Sequence, residues 1–215
     1  MAIRHPTPAQ LDLINNNYQP RDVEPLTADE ICLVEFVAAD NLVNRSKSRW
    51  HPTALPELVD LIPGVNLMRD HDWDDVSKNE GLVISAWLVR DVTAPIEIIE
   101  AAGNGKFNRQ IIEAEGYHSI HFDAAIRIAS PLMDALRYCQ VQYLSQGGFE
   151  YTDIWCPICN CSYHDDDCPH LLPSYWGNDD PKFTMPYYER KDITDLGEIS
   201  LVTIPNLPCA RVVSS

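Results

Sequence analysis

Four of the seven cysteines in this 215-residue chain, Cys156, Cys159, Cys161 and Cys168, fall within 13 positions. No other feature restricts the fold as tightly. Cys156-Pro157-Ile158-Cys159 is a Cys-x-x-Cys knuckle, and Cys168-Pro169-His170 comes after a short polar stretch. Two thiolates on a tight turn can bite one ion, and a second pair closes a tetrahedron around it. The mixture of sulfur and imidazole suits zinc. Cys156, Cys159, Cys168 and His170 are the expected ligands, with Cys161 and His164 as substitutes. All four positions are filled by protein, so the expected zinc is structural. It would fold a loop of about 15 residues that is too small to have a core of its own. The remaining cysteines, Cys32, Cys139 and Cys209, are scattered. An odd, clumped set does not fit a disulfide framework. A redox Cys-x-x-Cys fits less well, because no helix N-terminus is evident to lower a thiol pKa.

Length and composition describe one medium domain able to bury a core without staples, with 45% hydrophobic and 22% charged residues. Sixteen Lys and Arg against 32 Asp and Glu give a formal charge of −16. That balance argues against nucleic acid, which needs clustered cations, and an acidic membrane surface would repel it. No apolar run approaches the roughly 20 residues of a bilayer span. Met1-Ala2-Ile3-Arg4-His5-Pro6 has no apolar stretch after its charge, so no secretory signal is expected and a cytoplasm is the expected setting.

Residues 1–30 hold Pro6, Pro8, Pro20, Pro25 and the run Asn15-Asn16-Asn17, which read as an irregular N-terminal arm. Ile31-Cys32-Leu33-Val34-Glu35-Phe36-Val37 reads as a buried strand. A helix is the alternative there, because Thr27-Ala28-Asp29-Glu30 matches a capping box. A helix is predicted over 53–62, with Thr53 as N-cap and Pro56 in its first turn. Strands are predicted at 65–68, 81–89, 96–99 and 118–128, the last with Ile120, Phe122, Ala124, Ile126 and Ile128 on one face. Ser130-Pro131 opens a helix with Leu132, Ala135, Leu136, Cys139 and Tyr143 along one side. Gly147-Gly148 then releases the chain towards 149–155, and a final strand covers 198–204. The predicted class is α+β: a β-rich barrel or sandwich over 31–215, flanked by two or three helices, with a small zinc-knuckle insert at about 154–172.

Two further residues have catalytic potential. His71 lies in Asp70-His71-Asp72-Trp73, where flanking carboxylates could orient it and favour its protonated form; the plainer reading is a satisfied loop histidine. Ser145, in Leu144-Ser145-Gln146-Gly147-Gly148, reads either as a helix terminator or as a nucleophile. In the second case the glycines would let amides around 146–148 approach a substrate oxyanion. A nucleophilic serine needs a base within reach and a third group to orient that base.

Several segments together resemble the tailed-bacteriophage prohead (capsid maturation) proteases, whose fold is similar to the herpesvirus assemblin barrel. They are Leu42-Val43-Asn44, Leu61-Ile62-Pro63-Gly64, Asn66-Leu67-Met68-Arg69-Asp70-His71-Asp72-Trp73, the context of Ser145, and Glu198-Ile199-Ser200-Leu201-Val202-Thr203-Ile204-Pro205-Asn206-Leu207-Pro208. Coverage is roughly 31–213. Some phage relatives also carry a Cys-x-x-Cys…Cys-x-His insert in this place. The family's Ser-Ile-Gly is Ser145-Gln146-Gly147 here, and 76–81 match poorly. The resemblance implies a serine endopeptidase with His71 as base, Ser145 as nucleophile and Glu198 as third member, a role for which His118 or His121 compete. It implies scaffold or coat-protein substrates in an assembling phage head within the host cytoplasm, and oligomeric or larger assembly with phage structural proteins. An alternative is an inactive structural virion protein (decoration, neck or baseplate) of the same fold with a structural zinc. A zinc-binding adaptor outside phages is a third reading.

Overall fold

The computed structural model describes residues 3–17, 24–69, 79–90, 92–137, 143–165, 168–174, 180–202 and 211–213. In chain order the elements are β1 (Ile3–Arg4), α1 (Pro8–Asn17), β2 (Ile31–Asp40), β3 (Ser48–Trp50), α2 (Ala54–Leu61), β4 (Asn66–Arg69) and β5 (Asn79–Val89). Next come α3 (Ile96–Ile99), α4 (Gly105–Glu115), β6 (Ser119–Arg127), α5 (Pro131–Arg137), β7 (Tyr143–Cys156), β8 (Cys161–Ser162), β9 (Tyr188–Val202) and β10 (Arg211–Val212). The class is α+β.

The ten described strands form one mixed sheet in the order β3-β9-β4-β5-β6-β2-β10-β7-β8, with β1 beside β2 and a further pairing of β7 with β9. β9 runs parallel to β3 and β4 but antiparallel to β7. The pairings therefore make a circuit, but one of its joins is the two-residue β10, which among the described residues meets β7 at the single pair Arg211↔Tyr143. The sheet wraps around a core without the continuous ladder of a closed barrel.

β2 is apolar on both sides because both sides are covered. Val34, Phe36 and Ala38 join the main core with Trp50, Leu55, Leu58, Leu67, Ile120, Phe122 and Ile199. There the Phe36 and Phe122 rings stack at 5.2 Å. Ile31 and Leu33 face a smaller cluster with Ile14, Ile84 and Ala125, against which Leu11 and Leu26 pack. Gly81 is required where β5 pairs with β6: a Cβ there would stand 2.7 Å from the Ala125 carbonyl oxygen.

Several local expectations need correction. Part of the arm expected to be irregular is α1, started by Pro8 in its first turn and by Thr7 and Gln10. Thr7 N donates to Gln10 Oε1 at 3.0 Å, and Gln10 N donates to Thr7 Oγ1 at 3.3 Å, a reciprocal capping box. Residues 96–99, expected as a strand, form α3, because Pro95 fixes its entry and accepts bonds from Ile98 and Ile99. Tyr143 belongs to β7 and not to the helix side predicted for it. The helix predicted over 53–62 is present as α2, but Thr53 makes no side-chain cap bond to it.

One buried polar group ties three elements together. Arg49 on β3 donates from Nε to Glu189 on β9 at 2.8 Å, and from both terminal nitrogens to Glu115 on α4 at 2.8 Å each. Only 4% of the Arg49 side chain is exposed. Its pKa lies above the usual arginine value: burial lowers it, but the Glu115 and Glu189 partners outweigh burial.

Candidate metal centre

The end of β7 and the whole of β8 form a short hairpin that presents the cysteines. Trp155 pairs with Ser162, and Cys156 with Cys161. The turn closes through Asn160 N donating to Cys156 O at 2.9 Å, with Asn160 at φ 55°. That left-handed conformation is costly for most L-residues, but Asn tolerates it. Its side chain is used as well, because Trp155 Nε1 donates to Asn160 Oδ1 at 3.1 Å. Lower on the hairpin, Ser162 Oγ donates to Asp153 Oδ1 at 2.5 Å. Past Cys168-Pro169-His170 the chain is fastened by Leu171, which donates to Phe183 O at 2.7 Å and accepts from Met185 N at 2.9 Å.

These restraints gather Cys156, Cys159, Cys168 and His170, whose ligand atoms all lie within 4.8 Å of one another. His170 Nδ1 is 3.1 Å from Cys159 Sγ and 3.6 Å from Cys156 Sγ. A tetrahedral ion with metal–sulfur bonds of about 2.3 Å needs sulfur–sulfur edges of about 3.8 Å. The cluster has the right size, and its cysteines are free thiols. It is a Cys3His group that can hold a metal ion. Cys156 is buried and Cys159 exposed, so the site sits at the surface with one ligand anchored inside.

The thiols respond to one another. Cys159 is pushed up to about 12, by desolvation first and then by hydrogen bonding and charge from Cys156 and Cys168. Cys168 is lowered: desolvation raises it, but a hydrogen bond with the His170 backbone and bonds from Cys156, Cys159 and Cys161 outweigh that. A lowered thiol pKa beside a raised one is the behaviour of crowded, mutually hydrogen-bonded thiols, and a bound divalent cation would favour the ionised form of all of them. Asn160 was missed in the sequence reading. Its signal was an αL-tolerant residue directly after the second cysteine of the knuckle.

The expected catalytic residues are placed less completely. His71 lies outside the described residues. Ser145 is the third residue of β7, opposite Ser200 of β9, and Glu198 stands opposite both Gly147 of β7 and Asn66 of β4. Ser145 is thus not a helix terminator. Gln146 and Gly147, whose amides are among the expected oxyanion donors, belong to the paired strand, opposite Ile199 and Glu198. β4 and β7 flank β9, with Met68 and Ser145 both opposite Ser200. His121 is on β6 and His118 directly precedes it, and β6 does not neighbour β7, β9 or β4 in the sheet. Neither stands on a strand next to Ser145.

No protein-family model, curated protein or solved structure matches the chain.

Proposed function

We propose that the chain is a serine endopeptidase of the prohead-protease type, cutting scaffold or coat-protein segments during phage head maturation, with a structural zinc in its knuckle. The observation that supports this reading is the register across β9. Met68, three residues before His71, and Ser145 stand opposite the same residue, Ser200, on the two sides of one strand. Two strand spacings of about 4.8 Å separate their backbones. β4, which ends two residues before His71, and β7, which carries Ser145, therefore flank β9 at the same level.

In the reaction, Ser145 Oγ would add to a peptide carbonyl while His71 takes its proton. His71 would return that proton to the leaving amine as the C–N bond breaks, and water would release the acyl group by the same route. Zinc held by Cys156, Cys159, Cys168 and His170 would fix the hairpin and take no part in this chemistry. Co-expression of Ser145→Ala with the coat protein tests the reading. Loss of coat or scaffold processing is expected, and unchanged processing overturns it.

The placement of Ser145, Gln146 and Gly147 within a paired strand favours a second reading, a structural virion protein that kept the fold without catalysis. The uncut chain at fixed stoichiometry in purified virions would support it.

A further inference from the structure

On the side of β2 and β6 facing away from the main core, three side chains are joined in series. Ser119 Oγ lies 3.1 Å from His121 Nε2, and His121 Nδ1 lies 2.9 Å from Glu35 Oε1. Ser119 and His121 are two apart on β6 and so share a face. Glu35 and Val37 of β2 stand opposite Asp123 and His121, which puts Glu35 diagonally across from the imidazole. With Glu35 accepting from Nδ1–H, Nε2 carries a lone pair towards the Ser119 hydroxyl. This is the order of contacts that activates a serine: alcohol to base, base to carboxylate. Trp87 flanks the imidazole, with ring centres 6.0 Å apart.

The series opens into a pocket of about 250 Å³ lined by Ser119 and His121. Its walls join the aliphatic side chains of Val37, Val89, Val92, Pro95, Ile98 and Val213 to polar groups on Thr93, Tyr117, Ser119 and His121. No lysine or arginine stands among the described lining residues, and an uncharged reactant needs none. Ser119 is only 2% exposed, so a reactant must enter the pocket to meet it. A concave pocket with aliphatic walls and convergent polar groups is the common form of a small-molecule site.

We infer that Ser119 is a nucleophile activated by His121, in a site separate from Ser145 that takes acyl groups from small apolar esters. Ser119 Oγ bonds to the ester carbonyl carbon and its proton passes to His121 Nε2. The ester C–O bond breaks, and the alcohol leaves with that proton. Water then adds to the acyl carbon, giving a proton to His121. The bond to Ser119 breaks, Ser119 recovers the proton, and a carboxylic acid departs. Glu35 is a positioning residue that holds the imidazole and its tautomer.

The test treats the full chain with diisopropyl fluorophosphate and maps the adduct by peptide mass spectrometry, alongside hydrolysis of p-nitrophenyl butyrate. Trypsin places Ser119, the one serine of its peptide, in 110–127 and Ser145 in another. The adduct is expected on 110–127. His121→Gln should lower kcat/KM about 10²- to 10⁴-fold, the usual range for removing a general base, while Glu35→Gln should lower kcat with KM little changed. Mapping on the unaltered chain keeps the test valid even if a variant fails to fold. Absence of both adduct and hydrolysis overturns the inference. So does an adduct confined to the Ser145 peptide, which would instead support the peptidase reading. Labelling of 110–127 with intact coat processing in Ser119→Ala would uphold this site and leave Ser145 as a separate question.

Discussion

Cys161 and Cys159 flank Asn160 and differ in what the fold does with them. Cys159 is in the cluster of four ligand atoms and Cys161 is not, although Cys161 stands across the hairpin from Cys156. Cys159→Ser is therefore expected to reduce bound metal from about one ion per chain to near none, and Cys161→Ser to leave it unchanged. Elemental analysis of the purified variants checks this, and equal losses would contradict the ligand set. Asp123 gives a residue-level test of the outer face. Burial raises its carboxyl pKa, ahead of the opposing charge and hydrogen bond of Arg4. The folded chain then holds that proton more tightly than the unfolded chain does. Stability contributed by Asp123 falls as pH rises from the ordinary carboxylate range through the raised value. Asp123→Asn removes that dependence, so urea melts should favour the variant over the parent more at pH 7 than at pH 4.

At the scale of elements, the same motif occurs twice with two outcomes. Thr7 and Gln10 form a capping box and start α1, while Thr27 N donates to Glu30 Oε2 at 2.9 Å in a turn that leads into β2. The box satisfies local donors in both places, and the residues after it decide the element. After Gln10, Leu11 and Ile14 recur at helical spacing and pack on the smaller cluster; after Glu30, a run apolar on both faces enters the sheet. β2, β6 and α2 were legible in the sequence for this reason, and so was the metal set, where spacing alone names the ligands. α1 was missed because its prolines and asparagines suggested an irregular arm, although Pro8 at the first helical position fits a helix. The strand character of Tyr143 and Ser145 was hidden because pairing with β9, about 55 residues later, leaves no local mark. Ser119, His121 and Glu35 come together for the same non-local reason. Arg49 joins β3, β9 and α4, and Arg49→Ala would leave Glu189 buried without its guanidinium. A loss of about 3–5 kcal/mol in urea denaturation is expected, and a loss under about 1 kcal/mol would show that the pair is not buried as described.

For the whole molecule, the division of labour is between a sheet that holds itself together and a hairpin that does not. Of the four ligands only Cys156 is buried, and none of the described residues in 157–174 joins either apolar cluster. A loop with little apolar burial has little to offset the entropy of ordering it, so metal binding is expected to supply that free energy. The phage-protease reading concerns the other end of β7, so loss of the ion should leave the scaffold around Ser145 standing. Hydrogen exchange with and without a zinc chelator, after native mass spectrometry of the same sample, tests this division most directly. One zinc ion per chain is expected and, on its removal, loss of protection in about 154–172 while β2, β5 and β6 stay protected. A chain that binds no zinc, or a hairpin equally protected without it, would overturn this division.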